Sequence, residues 1–244
     1  VERRDPAGLA VFVADATPVV GVTTVLGEEA AHHMRVRRLE VGAPIGLRDG
    51  AGTVASGVLV RLSRGSAHVE VHERTTVPPP REVHLLVPVA DRERMLWLAE
   101  KAAELQATSW RPVLWRRSRS VAPRGEGVSF LGKVAARMRA ALQQSQGAWL
   151  PQCFPEATLE RAVQAAPDGT RLLLEGGGVP MAGHTAPRLD GQVTIAIGPE
   201  GGFDVSEADA LEAAGFVAVS LGGTVLRFET AAVVALGIVR AAGR

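Results

Sequence analysis

Three apolar runs in the last third of the chain each end in glycine, and together they point to an open parallel α/β sheet. They are residues 171–178 (RLLLEGGG), 192–202 (QVTIAIGPEGG) and 218–230 (AVSLGGTVLRFET). A short unbroken run of leucine and β-branched residues reads as a strand buried on both faces, the pattern of parallel rather than half-exposed antiparallel sheets. Glycine at its end lets the backbone turn sharply and lets a ligand approach with no Cβ in the way. Turns at the carboxyl ends of neighbouring parallel strands are where such a sheet presents its binding crevice.

Upstream the pattern changes. Residues 9–75 read as short strands at 9–14, 21–26, 44–48, 53–62 and 67–72, with a helix over 28–37. Asp49-Gly50-Ala51-Gly52 is a strong hairpin signal between two of them, and the set suggests a small β-barrel. The proline run Pro78-Pro79-Pro80 is a semi-rigid spacer, which divides the chain into domains 1–75 and 76–244. The second domain opens with a buried strand at 82–90. Asp91 is then suited to cap a helix over 92–106, where Met95, Leu98, Ala99, Ala102 and Leu105 keep helical spacing. A strand at 110–115, a helix over 126–146 and a short helix over 159–166 follow. Asp204 with Glu207 three residues on forms a capping-box start for another helix. Residues 230–242 are almost uncharged until Arg240, so that helix must be buried in a core or against a second subunit.

Charge is unevenly spread. Between Arg111 and Arg139 there are eight basic residues against one acid, Glu126, whereas from Arg171 onward eight acids face five basic residues. A basic stripe suggests a polyanionic partner, although an arginine-rich solvated face and a genome-wide bias toward Ala, Arg and Gly give the same composition. The four tryptophans lie in 97–149 beside that stripe. Aromatic faces among arginines suit stacking on unpaired bases, but core packing is the first explanation for each ring. Cys153 is the only cysteine, which excludes an internal disulfide and fits a reducing, cytoplasmic setting. No apolar run approaches the ~20 residues of a membrane span, and VERRDPAGLA has no secretory apolar core. His32-His33 lacks a third ligand at a supporting spacing, so no metal is expected.

The turn Gly198-Pro199-Glu200-Gly201-Gly202 matches neither common phosphate motif. Pro199 and Glu200 break the dinucleotide fingerprint, and no Gly-Lys-Ser/Thr ending exists. An acid at the centre of a poorly solvated turn disfavours a bound phosphate and suits a cationic ligand such as a sulfonium. Glu200 pointing to solvent, or to Arg227, is equally consistent with the sequence.

The motifs LLLEGGG, IGPEGGF and LGGTVLRFETA, in this order and spacing, resemble the three cofactor loops of SPOUT-type methyltransferases, most closely the ribosomal RNA small-subunit methyltransferase E family. HMRVRRLEVG at 33–42, Lys101 with Glu104-Leu105, Arg117-Ser118, and Gln144-Ser145 with Pro151 agree with that family's upstream motifs. The resemblance implies an N-terminal PUA-like β-barrel, a C-terminal α/β domain ending in a trefoil knot, a homodimer, and S-adenosylmethionine-dependent methylation of N3 of a uridine in 16S ribosomal RNA of the small subunit. Carried over by position, the cofactor contacts are Leu174, Gly176, Ile197, Gly198, Glu200, Gly201, Leu221, Gly222, Leu226 and Arg227. Arg37, Arg38, Arg116, Arg117 and Arg119 would hold RNA phosphates.

Methyl transfer from a sulfonium needs no acid, because the leaving group departs neutral. The uracil imide must shed its N3 proton, so a cation near O2 or O4 is the required electrostatic element. Arg227 is the candidate, with Glu229 and Thr230 to orient it or the base; no histidine, His184 included, is assigned as general base. The chain departs from the family at Gln106, Gly147, Gly223, Thr224 and Phe228. These departures keep a second class open, an RNA-binding ribosome-assembly factor with impaired catalysis.

Overall fold

The computed structural model describes residues 9–120, 124–181 and 191–242. The chain divides into two compact units. One runs to Pro79 and takes in Leu142–Leu150; the other comprises Pro80–Ala141 and the residues from Pro151 onward.

The first unit is a mixed sheet of β1 (Ala10–Val13), β2 (Thr23–Leu26), β3 (Pro44–Arg48), β4 (Thr53–Leu62) and β5 (Ala67–Thr76), ordered β1-β3-β4-β5-β2. Only β1 and β3 pair in parallel; the other neighbours are antiparallel. The hairpin turn is held by Asp49, whose carboxylate accepts from the Ala51 and Thr53 amides at 2.9 Å each. Along β4 alternate residues turn inward, and Phe12, Ile45, Leu47, Leu59 and Val69 form the core. Helix α1 (Glu28–Val36) adds Ala31 and Met34 to it. α1 ends in a Schellman motif: the Leu39 amide donates to the Met34 carbonyl and the Arg38 amide to that of Arg35, both at 2.9 Å. Arg38 occupies the left-handed position of that motif, at φ 56°, where glycine is the usual residue. The segment Leu142–Leu150 packs within this unit although it lies far from it in sequence. The Gly52 amide donates to Ala148, the Leu150 amide to Gly50, and the Trp149 indole to the Val77 carbonyl at 3.2 Å.

The second unit is built on six parallel strands, β6 (Val83–Pro88), β7 (Ser109–Val113), β8 (Gln152–Cys153), β9 (Thr170–Pro180), β10 (Val193–Ile197) and β11 (Val217–Ser220), ordered β11-β9-β10-β6-β7-β8. All five residues of β10 are buried, as an apolar run at the centre of a parallel sheet requires. The connecting helices are α2 (Arg92–Glu104), α3 (Val128–Ser145), α4 (Leu159–Gln164), α5 (Val205–Ala213) and α6 (Phe228–Ala242), with a 3-10 turn at Arg116–Ser120. On one face Leu86, Leu173 and Ala196 of the sheet pack with Trp115, with Ala162 of α4 and with Leu211 of α5. Helix α6 packs against α2 and against β6 and β10.

Two local details set the shape of the site. β9 does not stop at its glycines. Leu172 and Leu173 pair with Val217 and Ala218, then Val179 and Pro180 pair with Val219 and Ser220, so residues 174–178 bulge out of the ladder. Gly178 closes that bulge against β11: a Cβ there would fall 2.4 Å from the Ala218 carbonyl carbon and 2.5 Å from the Val219 nitrogen. At the far end of the helix pair, the Arg240 guanidinium donates to the carbonyls of Leu105, Gln106 and Arg81. Burial, with Arg81 nearby, lowers Arg240 to about 10, which still leaves it charged at neutral pH. It satisfies carbonyls that the end of α2 leaves open. Of the four tryptophans, Trp110 and Trp115 are fully buried core residues, whereas Trp97 is exposed with the Lys101 ammonium over its ring at 6.0 Å. No helix among the described residues is long and apolar enough to cross a membrane.

Candidate functional site

The bulge within β9 and the loops after β10 and β11 converge on a cavity of about 570 Å³. That size lies within the ~300–1,000 Å³ of small-molecule sites. The β9 bulge supplies Leu174, Glu175 and Gly176. The turn after β10 supplies Ile197, Gly198, Pro199, Glu200, Gly202 and Phe203, and the segment after β11 runs along it from Leu221 to Arg227. Phe228 and Ala231 of α6 complete the lining. Gly222 sits at φ 138°, a conformation that a residue with a Cβ adopts only with strain.

Two arginines outside these loops fix the central turn. Arg94, in the first turn of α2, is ion-paired with Glu200. Its Nε also stands 3.9 Å from Oε1 of Glu229, in the first turn of α6. Glu229 is 8% exposed, and among the described residues its Oε2 has no hydrogen-bond partner. Glu200 therefore faces Arg94 and not Arg227, and it stays partly open to solvent, the other setting that the sequence allowed. From the other side, Arg117 Nη1 donates to the Gly201 carbonyl at 2.9 Å. The adjoining Arg116 amide donates to Glu207 Oε1 at 2.7 Å, while Glu207 Oε2 accepts from the Asp204 amide at 3.0 Å. The expected capping box is thus present, and its buried acid also anchors the segment that follows β7. Hydrogen bonds from the Ser206 side chain and amide, with Arg116 and Arg117 adding, hold Asp204 below the usual carboxylate range. Phe203 meets Trp115 edge to face, with centroids 4.9 Å apart, which braces the turn against the sheet.

Nine of the ten cofactor contacts expected from the sequence line this one cavity; Gly201 does not, its carbonyl being turned to Arg117. Among the three expected catalytic residues, Arg227 is on the lining and exposed, Glu229 is turned to Arg94, and Thr230 is exposed on α6 and off the lining. Phe203, Val219 and Ala231 line the cavity without having been expected there, and Arg94 was missed because its partners stand more than a hundred positions away.

Comparison with known proteins agrees with this geometry. Residues 77–240 match a family model described as RNA methyltransferase domain, and residues 26–71 match one described as RNA methyltransferase PUA domain. A protein of Mycobacterium bovis named ribosomal RNA small subunit methyltransferase E is 34% identical over 238 residues, covering 93% of this chain and 90% of its own length. The chain belongs to the ribosomal RNA small subunit methyltransferase E family. A solved structure of that family's protein from Neisseria gonorrhoeae, bound to S-adenosyl methionine, aligns at TM-score 0.86 with 25% identity, over 96% of this chain and 97% of its own. A methyltransferase from Legionella pneumophila in complex with SAM aligns equally well, over 96% of this chain and 98% of its own.

Two of the chain's departures from the family pattern have visible settings. Gln106 stands at φ 56°, in the left-handed position of the Schellman motif that ends α2, with its amide on Ala103 and the Ala107 amide on Ala102. Phe228 is buried at the start of α6 and lines the cavity. Of the expected phosphate-binding arginines, Arg37 and Arg38 are exposed at the end of α1, and Arg116 and Arg117 are exposed beside Asp204. The side chain of Arg119 and all of His184 lie outside the described residues. Other members of the basic stripe are engaged: Arg124 with Glu126 at 3.0 Å, and Arg137 with Glu100 at 3.4 Å.

Proposed function

We propose that this chain methylates N3 of a uridine in 16S ribosomal RNA of the small subunit, using S-adenosylmethionine held in the 570 Å³ cavity. The observation that carries the reading is the convergence of three glycine-bearing loops on one cavity that holds nine of the ten expected cofactor contacts. The lining fits the cofactor's chemistry. Leu174, Ile197, Leu221 and Leu226 offer apolar surface to an adenosine, and the carboxylates of Glu175 and Glu200 suit a sulfonium. When bound, S-adenosylmethionine supplies an electrophilic methyl group. Arg94 keeps Glu200 in place and offsets part of its charge. Arg227, which is exposed, stabilises the uracil imide anion once N3 has lost its proton to solvent. Glu229 steadies the start of α6 through Arg94 and so fixes where Arg227 stands; Thr230, exposed one residue on, orients the base.

In this reading residues 1–75 are the PUA-like β-barrel that engages RNA, with Arg37 and Arg38 on phosphates. Residues 76–244 are the SPOUT-type methyltransferase domain, its end threaded as a trefoil knot, and Arg116, Arg117 and Arg119 guide the substrate to the cavity. The working form is a cytoplasmic homodimer. Val225, fully exposed in the third loop, and Val234, exposed on α6, are apolar surface that a second copy would cover. The test is to incubate isolated small subunits with the protein and trideuteromethyl-labelled S-adenosylmethionine and to map the 16S RNA by mass spectrometry. Label on N3 of one uridine is expected; label on another atom, or none, refutes the assignment.

A further inference from the structure

A second cavity, of about 250 Å³, lies at the amino ends of the parallel strands, at the edge of the sheet opposite the first. It is below the ~300–1,000 Å³ of drug-sized sites, so its occupant is small. Its floor is one face of the sheet, with Glu82 and His84 at the start of β6, Ser109 and Arg111 on β7, and Gln192 just ahead of β10. Register sets His84 beside Ser109 and Leu86 beside Arg111. Arg111 therefore stands two residues, roughly 7 Å, along the same face from Ser109.

The polar groups are already oriented. His84 Nδ1 and Ser109 Oγ are 2.8 Å apart, and His84 Nε2 stands 3.4 Å from Glu82 Oε2, with no hydrogen bond formed there among the described residues. Arg111 lies over the Phe154 ring, 4.2 Å from its centroid. Among the described residues no carboxylate pairs with it. A guanidinium with one face on a ring keeps its N–H edge for a planar or tetrahedral oxyanion. Glu82, the cavity's carboxylate among the described residues, lies on the His84 side and does not pair with Arg111.

We propose that this cavity binds a small oxyanion between Arg111 and Ser109, and that a proton on His84 strengthens the binding. The inference is independent of the methyltransferase reading. With His84 neutral and its N–H on the Nε2 side toward Glu82, Nδ1 accepts a hydrogen bond from the Ser109 hydroxyl, and Ser109 offers only lone pairs to a ligand. With His84 protonated, Nδ1–H donates to Ser109 Oγ, and the hydroxyl proton turns to the ligand. Atoms balance, since the only species gained is one proton from solvent. Burial holds free His84 below the ordinary imidazole range, partly countered by Glu82 and Gln192. A bound anion favours the charged form. Proton and anion then bind with positive coupling, and affinity rises as pH falls through the imidazole range. The charged groups facing His84 from the packed elements are Glu82 and Arg111; α4 and the residues after it contribute Ala162, Ala165 and Ala166.

The test uses the full chain and follows the His84 imidazole resonances, assigned with His84→Gln, during titrations with sulfate and with acetate at fixed ionic strength. Saturable shifts are expected, with dissociation constants about tenfold lower at pH 6 than at pH 7.5 for a one-proton linkage. The probe that saturates first identifies a tetrahedral or a carboxylate ligand. Arg111→Met abolishes the saturable shift, while Ser109→Ala keeps it but lessens its pH dependence; circular dichroism and an unchanged S-adenosylmethionine titration verify both folds. Shifts linear in anion concentration, undiminished binding by Arg111→Met, or pH-independent affinity of the unaltered protein would overturn the proposal. An undiminished pH dependence in Ser109→Ala would do the same.

Discussion

Arg94 and Glu200 are ion-paired, joining the first turn of α2 to the glycine turn after β10. The same arginine reaches toward Glu229 at the start of α6. One side chain therefore links the two helices that flank the site to the loop that forms its centre. Both members of the pair are partly exposed, at 31% and 45%, so their direct worth to stability is small, about 0–1 kcal/mol. Their effect is on the position of the turn. Arg94→Met and Glu200→Gln are each expected to weaken S-adenosylmethionine binding roughly threefold to tenfold, and the double variant no more than the worse single one, because coupled groups are non-additive. Titration calorimetry of the cycle checks this. Losses that simply add would mean the two residues act separately.

Gly176 and Gly178 sit two residues apart in the β9 bulge but have different surroundings. A methyl group on Gly178 collides with the β11 backbone, whereas one on Gly176 meets nothing within 4 Å. Gly178→Ala should cost about 1–3 kcal/mol or more in urea unfolding, since backbone cannot yield as a side chain can. Gly176→Ala should fold normally and bind the methyl donor more weakly, because its methyl enters the cavity. Equal stability losses for the two would contradict the bulge.

Arg38 and Gln106 hold the left-handed position of two Schellman motifs. That conformation costs a residue with a Cβ roughly 1–2 kcal/mol, partly offset by the extra unfolded-state freedom of glycine. Arg38→Gly and Gln106→Gly should each raise the unfolding midpoint, by about 0.5–1 kcal/mol in stability. Arg38→Gly should in addition weaken RNA binding and flatten its salt dependence, a split that Gln106→Gly should lack. Thermal melts and filter binding at two salt concentrations separate the effects.

Local chemistry was legible in the residues; distant pairing was not. The bounds of β3 and β4 follow from period-two patterning around an Asp-Gly turn, and the Asp204–Glu207 capping box needs only three residues of context. The three loops were legible as ligand turns because apolar runs ending in glycine leave few alternatives. By contrast, the β9 glycines read as the end of a strand, whereas the chain bulges and resumes pairing, a choice made by β11 and not by β9 itself. Arg94 gave no signal, being one cation on an amphipathic helix whose partners are set by tertiary packing. The return of Leu142–Leu150 to the first unit was equally hidden, because its hydrogen bonds to Gly50 and Gly52 are made by backbone groups.

Arg227 lines the cavity from an exposed position, so its removal should leave the fold and most donor affinity intact. Arg227→Ala is expected to lower kcat for methylation by at least a hundredfold, about 2.7 kcal/mol of barrier, with an unchanged circular dichroism spectrum. Arg227→Lys should recover part of that loss, since charge is retained while the planar fork is not. Near-normal turnover by the alanine variant would remove Arg227 from the chemistry.

The central claim is that the cavity formed by the three loops holds S-adenosylmethionine. Calorimetric titration of the purified chain with S-adenosylmethionine tests it most directly. The account predicts saturable binding at one site per chain, lost when a bulky Thr224→Trp side chain is set into the lining and preserved in Arg227→Ala. No binding at millimolar donor, or binding indifferent to Thr224→Trp in a folded variant, would contradict it.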